Sequence, residues 1–114
     1  MGDGQHPGIE TLCVHFAENR ETHLGAAAPP LYQSSTFTFP DSATFHARSE
    51  DRQRFDYTRV GNPTARLLEE KIAAMEKGEA ARAFGSGMAA ISAAILSCAK
   101  TGDHVVCVGT AYGP

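Results

Sequence analysis

The sequence has no tryptophan, only three cysteines, no long apolar run and no excess of basic residues. Its apolar runs fall short of the roughly 20 residues that a membrane-spanning helix needs. A net charge of −3, with no cluster of lysine or arginine, argues against nucleic acid or an anionic membrane as a partner. The first residues have neither the basic start nor the apolar segment of a secretory signal, so we expect a cytoplasmic protein.

The cysteines and histidines are too few and too scattered to predict a metal centre. Cys98 and Cys107 lie inside apolar runs, where a free cysteine commonly packs as a small hydrophobe. Cys13 is followed by His15 and His23, but no second pair stands at a spacing typical of zinc ligands. We therefore predict no metal site.

The first half of the chain is poor in helix signals. Residues 25–40 combine two adjacent prolines with alternating aromatic and hydroxyl residues, which predicts an extended segment. A short helix is possible from Ile9, with Thr11 as its cap, and another short helical turn is expected from Asp41. Residues 48–54 are charged, which predicts an exposed loop. Residues 1–60 hold too little apolar material for a core of their own. We predict that they form an arm that packs on the following domain or on another subunit.

The second half has a regular pattern. Asn62 and Pro63 are favoured at the start of a helix, and Gly78 is a fitting stop, so an amphipathic helix is predicted between them. Its apolar stripe includes Leu68 and Ile72, whereas Lys71 lies on the opposite, exposed face. A short strand over 80–84, an apolar helix over 88–100 and a strand over 105–108 follow, and they predict a β-α-β unit. The second strand needs neighbours and the apolar helix needs another layer over it. We therefore expect residues 61–114 to be the opening, incomplete part of an α/β domain.

The turn Gly-Ser-Gly at 85–87 joins the first predicted strand to the apolar helix. Free N–H groups at a helix start attract anions, and glycines without Cβ let a ligand approach the backbone, so the turn predicts a phosphate site. The match Gly-x-Gly-x-x-Ala over 85–90 also fits a dinucleotide-binding module. However, no acidic residue follows the second predicted strand, where that module holds the ribose. A P-loop is excluded because no Gly-Lys-Ser/Thr follows.

Four blocks of the sequence together resemble one enzyme family. They are Pro-Pro-Leu-Tyr-Gln-Ser-Ser-Thr-Phe at 29–37, Tyr-Thr-Arg-Val-Gly-Asn-Pro-Thr at 57–64, Gly-Ser-Gly-Met-Ala-Ala-Ile at 85–91 and Tyr-Gly at 112–113. In order and spacing they are similar to the pyridoxal-phosphate-dependent enzymes of cysteine and methionine metabolism. This family includes cystathionine γ-synthases, cystathionine β- and γ-lyases, methionine γ-lyases and O-acylhomoserine sulfhydrylases. The resemblance implies the large α/β domain of fold-type I transferases, preceded by an extended arm.

The resemblance also implies a role for five residues. The backbone N–H groups of Gly87 and Met88 would hold the phosphate of pyridoxal 5'-phosphate, the implied cofactor. Tyr57 and Arg59 would reach the same phosphate from a neighbouring subunit, where the planar guanidinium suits phosphate oxygens. Tyr112 would stack on the pyridine ring and act in catalysis, in proton transfer or leaving-group handling. The implied assembly is a homo-oligomer, a dimer of active dimers with shared sites.

The resemblance implies elimination at the β- or γ-carbon, or γ-replacement by a thiol, on a small sulfur amino-acid substrate. The lysine that carries the cofactor and the aspartate that pairs with its pyridine nitrogen have no counterpart in this sequence. We therefore expect an N-terminal part of the enzyme, without turnover on its own. Tyr112 is followed by Gly113 and Pro114, whereas methionine γ-lyases usually carry a cysteine after Tyr-Gly. Two alternatives stay open: a dinucleotide-binding module, and a non-catalytic subunit that pairs with a full-length homologue.

Overall fold

The computed structural model describes residues 7–49 and 54–110, and its regular structure is helical. Four α-helices are present in these ranges: α1 Ile9–His15, α2 Ser42–His46, α3 Pro63–Met75 and α4 Gly87–Cys98. Two 3₁₀ helices, Glu21–His23 and Ala47–Ser49, lie between α1 and α3. None of the described helices is long and apolar enough to cross a membrane. The chain divides into two compact units, Met1–Ala81 and Arg82–Pro114.

The start of α3 confirms the predicted cap. The side chain of Asn62 accepts a hydrogen bond from the backbone N–H of Thr64 at 2.8 Å, and Pro63 occupies the first helical position. At the other end, the helix stops at Met75, and the left-handed residue after it is Lys77, with φ 55°, in place of the predicted Gly78; the N–H of Gly78 donates to the carbonyl of Ala73 at 2.8 Å. Asp41 caps α2 in the same way, accepting from Thr44 at 2.6 Å. These bonds satisfy backbone groups that a helix end otherwise leaves without a partner.

Helix α1 begins before the predicted cap. Its N-cap is Gly8, which has no side chain to accept a hydrogen bond, and Thr11 lies inside the helix. The short helix is held instead by α3: the ammonium of Lys71 donates to the carbonyls of Cys13 at 3.0 Å and Val14 at 3.4 Å, and pairs with Glu18. An ammonium at these carbonyls offsets the negative end of the α1 dipole.

A hydrogen-bond network joins the arm to the start of α3. The backbones of 35–37 and 56–58 form an isolated antiparallel bridge, with Phe37 N–H donating to Asp56 O and Thr58 N–H to Ser35 O, both at 2.9 Å. The side-chain amide of Asn62 donates to Tyr32 O at 2.9 Å and to Thr58 Oγ1 at 3.0 Å. Asn62 is the one polar residue that is buried among the described residues, with 7% of its surface exposed. Asn62 lies after position 60, the predicted end of the arm, but it is bonded to Tyr32 and Thr58 before that position. All its hydrogen bonds lie within the first unit. The division into an arm over 1–60 and a domain opening over 61–114 stays a prediction.

The predicted strands are not confirmed. Residues 80–84 and 105–108 have neither helix nor strand, and the bridge between Thr36 and Tyr57 is the one β-pairing within the described ranges. A strand exists through hydrogen bonds to a neighbouring strand, and no described segment provides that neighbour for either one. The β-α-β unit of the predicted α/β fold therefore keeps its helix, with different bounds from those predicted, but is without its strands.

Apolar surface is largely exposed in the described chain. Ala73 is its buried hydrophobic residue, whereas Leu68 and Ile72, on the predicted core face of α3, are 52% and 41% exposed. Helix α4, predicted to be buried, exposes Met88 to 67% and Leu96 to 74%. The predicted burial of α4 and of the apolar stripe of α3 is therefore not found within the described residues, because no described segment covers these side chains.

Replacing Asn62 by aspartate separates its two tasks. Asn62→Asp keeps the oxygen that caps α3 but removes the amide donor to Tyr32 and Thr58, which leaves polar groups unsatisfied at a cost of about 1–3 kcal/mol. We expect faster hydrogen exchange of the amides of Tyr32, Phe37 and Thr58, with little change inside α3.

Asn19→Asp is the matched control, because Asn19 accepts from the N–H of Glu21 at 3.2 Å through the same side-chain oxygen in an exposed turn. Equal acceleration in α3 and in the arm would contradict the separation of the two tasks.

The pairing of Glu18 with Lys71 predicts a pH dependence. The hydrogen bond from Lys71, helped by its charge, holds the pKa of Glu18 below the ordinary value of 4.5. The pair therefore stabilises the α1–α3 contact fully above pH 4.5, and this contribution is lost as the pH falls through the lowered pKa.

In an NMR titration, Lys71→Met should raise the pKa of Glu18. Lys77→Met, which removes a lysine just after α3, should leave it unchanged; an equal shift in both variants would contradict the pairing.

Candidate functional site

The start of α4 presents glycines that the described chain does not itself require. A Cβ placed on Gly85 or on Gly87 would meet no atom within 4 Å, and neither residue has a positive φ. In a helix, alanine is more stable than glycine by about 1 kcal/mol. Neither backbone conformation nor neighbouring atoms therefore explain Gly87 at the first position of α4.

Backbone donors are free at the same place. Ser86 is the N-cap of α4 and its hydroxyl accepts from the N–H of Ala89 at 3.2 Å, as serine commonly does at the start of a helix. The Ala90 N–H donates to the Ser86 carbonyl at 3.2 Å. The N–H groups of Gly87 and Met88 have no acceptor within the described part of the chain. They are two donors at the positive end of a helix dipole, where an anion is stabilised.

Tyr57 and Arg59 lie together on a turn in the first unit. The turn is closed by the N–H groups of Val60 and Gly61, which donate to the Tyr57 carbonyl at 2.9 and 3.1 Å. The Arg59 guanidinium carbon is 5.4 Å from the centre of the Tyr57 ring, within the range of a cation–π contact. Tyr57 is 41% exposed, and Arg59 is also exposed.

The electrostatics of this turn suit an incoming anion. The structure gives the Arg59 guanidinium no ion pair with any residue that it describes, so its donors remain available. The nearby carboxylate of Asp56 is engaged by Arg48 at 2.9 Å. The hydrogen bond from Arg48, followed by one from the Tyr57 N–H, holds the pKa of Asp56 below its ordinary value of 3.8. Asp56 is thus ionised at neutral pH and already paired.

Four of the five predicted site residues are described by the structure, and they form two pairs. Tyr57 and Arg59 are brought together in the unit Met1–Ala81, whereas Gly87 and Met88 are adjacent in the unit Arg82–Pro114. Each unit is described by itself. Tyr112 lies outside the described residues, so its assignment stays a prediction.

A pocket of about 240 Å³ lies elsewhere in the first unit. It is lined by Pro29, Pro30 and Tyr32 of the arm, by Leu67 of α3 and by residues near them, and it includes none of the predicted site residues that the structure describes. No group of three or more histidine, cysteine or acidic side chains suitable for a metal ion is found among the described residues.

Sequence reasoning missed the groups that hold the Tyr57–Arg59 turn. It identified Asn62 only as a helix cap, and it treated residues 48–54 as an exposed charged loop. The bonds from Asn62 to Tyr32 and from Arg48 to Asp56 span 30 and 8 residues. No single described helix or strand spans either pair, so no periodic pattern in the sequence connects the partners. The one available signal was Asn62 itself, since an asparagine cap also carries two amide donors that need acceptors when buried.

Known proteins match this chain over nearly its whole length. A family model described as "Cys/Met metabolism PLP-dependent enzyme" matches residues 10–114. An L-methionine γ-lyase of Fusobacterium nucleatum subsp. polymorphum is 46% identical over 108 residues, which are 93% of this chain and 27% of that protein. A cystathionine β-lyase of Staphylococcus haemolyticus is 45% identical over 101 residues, 88% of this chain and 24% of that protein. The chain thus spans about a quarter of the length of the curated relatives that it matches.

A solved structure matches the fold as well. The crystal structure of metB from Corynebacterium glutamicum is similar with a TM-score of 0.72 and 37% sequence identity, over 86% of this chain and 24% of that one. The likeness to this structure supports a fold of the same type as that of the corresponding part of the larger protein.

The start of α4 gives a direct test of a ligand. In the complete protein, Gly87→Ala should leave α4 as stable or stabilise it by up to about 1 kcal/mol, because alanine favours helix. The same change should weaken the binding of pyridoxal 5'-phosphate, because the new Cβ occupies space near the free N–H groups. Hydrogen exchange of α4 and equilibrium dialysis measure the two effects.

Ala90→Gly provides the opposite control, since it should loosen the same helix without adding an atom near Gly87. Unchanged cofactor affinity in Gly87→Ala would contradict a close approach of the ligand to this backbone.

Proposed function

Because this chain belongs to the family of Cys/Met metabolism PLP-dependent enzymes, we propose that it forms the N-terminal part of a pyridoxal-phosphate-dependent enzyme of sulfur amino-acid metabolism. The reaction is elimination at the β- or γ-carbon, or γ-replacement, on cystathionine, homocysteine or methionine, or O-acylhomoserine. Membership of this family favours the enzyme over the dinucleotide-binding module that the glycine pattern also allowed.

The observation that carries the proposal is the start of α4. A glycine at position 87 is required neither by its φ nor by a neighbouring atom. The N–H groups of Gly87 and Met88 are free within the described chain. A phosphate group accounts for both features, because it accepts from free backbone N–H groups and needs room where a Cβ would stand. Gly87 and Met88 would hold the phosphate of the cofactor. Bound there, pyridoxal phosphate supplies an electron sink for the carbanion formed when the substrate loses its α-proton.

Tyr57 and Arg59 supply the second part of the phosphate site. The guanidinium of Arg59 is exposed and without an ion pair among described residues, and the Tyr57 ring lies beside it. We assign this pair to the site of a neighbouring subunit in a homo-oligomer, a dimer of active dimers. A guanidinium can donate two parallel hydrogen bonds to phosphate oxygens, so it orients the phosphate as well as neutralising its charge.

The two predicted parts of the chain receive distinct roles. Residues 1–60 are the arm that contacts the neighbouring subunit, and residues 61–114 open the cofactor domain with a β-α-β unit. The exposed apolar side chains of α4 support this assignment, since a helix in a doubly wound domain packs on a sheet. Tyr112 would stack on the cofactor ring and act in proton transfer or leaving-group handling. A cytoplasmic location also stays a proposal.

The substrate is proposed as a class. The chain is 46% identical to a methionine γ-lyase and 45% identical to a cystathionine β-lyase, so these identities favour neither. What the family's reactions share is an amino acid with a sulfur or oxygen leaving group on its β- or γ-carbon.

A mixed-subunit experiment tests the shared site in the complete protein. Arg59→Ala and Gly87→Val subunits carry different affinity tags and are expressed together, and assemblies with both tags are isolated. If Arg59 serves the neighbouring subunit, one of the two sites in each mixed active dimer is intact. Doubly tagged assemblies should then regain cofactor binding and turnover up to about half of the wild-type level, because active dimers of two identical variants contribute no intact site. Each variant alone loses cofactor affinity.

Two other results have different meanings. Mixed dimers without an intact site would show that Arg59 serves its own subunit, which overturns the sharing. A wild-type complete protein that binds no pyridoxal phosphate overturns the proposed function itself and leaves the non-catalytic subunit as the remaining interpretation.

A further inference from the structure

Arg48 makes three contacts that converge on one point of the first unit. Its Nε donates to Asp56 Oδ2 at 2.9 Å, and its Nη1 donates to the carbonyl of Phe45 at 2.9 Å. The guanidinium carbon also lies 3.8 Å from the centre of the Phe45 ring. An arginine held by a carboxylate, a carbonyl and an aromatic face has little freedom, although about a third of its side chain is exposed.

Asp56 transmits this restraint to the backbone before Tyr57. While Oδ2 accepts from Arg48, Oδ1 accepts from the N–H of Tyr57 at 2.7 Å. The Asp56 carbonyl accepts from the N–H of Phe37 at 2.9 Å. One carboxylate thus connects the Arg48 guanidinium to the backbone N–H of Tyr57.

The other side of the turn is fixed independently. The N–H of Thr58 donates to the Ser35 carbonyl at 2.9 Å, and its hydroxyl donates to the carbonyl of Ser34. The same hydroxyl accepts from the Asn62 amide at 3.0 Å. The residues on both sides of Tyr57 are therefore held by hydrogen bonds. The side chains of Tyr57 and Arg59 extend from the turn, and the Arg59 guanidinium has no ion pair among the described residues.

We propose that Arg48 and Asp56 are positioning residues, which fix the direction in which Tyr57 and Arg59 present their side chains to the cofactor phosphate. This inference rests on the proposed function, since it takes Tyr57 and Arg59 as phosphate ligands. Neither Arg48 nor Asp56 is assigned a contact with the cofactor. Their effect is to reduce the ordering that Tyr57 and Arg59 must undergo when the phosphate binds.

The test uses the complete protein and measures the dissociation constant of pyridoxal phosphate from its visible absorbance when bound. Arg48→Met and Asp56→Asn should each weaken cofactor binding about tenfold, while kcat per occupied site changes little. Arg48→Lys keeps the charge but loses the planar fork, so it should lie between wild type and Arg48→Met. Arg20→Met is the matched control and should leave the constant unchanged, because the guanidinium of Arg20 has its described hydrogen bond with the ring of His15, at 3.2 Å, away from the Tyr57–Arg59 turn.

A double-mutant cycle distinguishes positioning from general stability. In a Tyr57→Phe, Arg59→Ala background, Arg48→Met should have almost no further effect on cofactor affinity, because the side chains it positions are gone. An equal tenfold loss in both backgrounds, or no loss in the wild-type background, would overturn the positioning role. Hydrogen exchange of the Tyr57 and Thr58 amides should rise in Arg48→Met while exchange in α3, which lies in the same unit, does not; this excludes unfolding of the first unit as the cause. If the wild-type protein binds no pyridoxal phosphate, the proposed function fails, and the positioning role falls with it.

Discussion

The first unit depends on one buried amide. Asn62 accepts from the start of α3 and donates to the arm and to the turn that carries Tyr57 and Arg59. A buried amide is stable only when its donors and its acceptor are all satisfied, so these three segments must be present together. Helix, arm and turn are consequently fixed relative to one another by a side chain that contributes almost no apolar surface. In a unit with so little buried hydrocarbon, hydrogen-bond geometry determines the arrangement of the arm.

Local signals in the sequence predicted local structure well. Asn62 and Pro63 set the start of α3, and Ser86 sets the start of α4, because a cap acts within one helical turn. The end of α3 was predicted less well, since Lys77 and not Gly78 adopts the left-handed conformation. Family resemblance was confirmed by the match over 10–114. Contacts between distant residues were not predictable in this way. Lys71, interpreted as part of an exposed face, caps carbonyls 58 residues earlier in the chain.

The strands show a different limit of sequence patterns. The run Val-Val-Cys-Val at 105–108 indicates a preference for a buried strand, but strand formation also needs a partner with free backbone groups. Periodicity likewise identifies which face of α3 is apolar, and composition shows that α4 is apolar nearly all round, but neither indicates what covers the helix. Leu68 of α3 and Leu96 of α4 are both exposed. Propensity belongs to a segment, whereas burial belongs to the assembly that the segment joins.

The exposed hydrocarbon of α4 has a consequence for handling the chain. Met88, Ile91 and Leu96 are each more than half exposed on a helix with no charged residue. Uncovered apolar surface promotes contacts between molecules, and the rate of such contacts rises with concentration. We therefore expect the described part of the second unit to promote aggregation of this chain as its concentration rises. Such aggregation would arise from the apolar surface of α4 and would not require the hydrogen bonds around Asn62 to break.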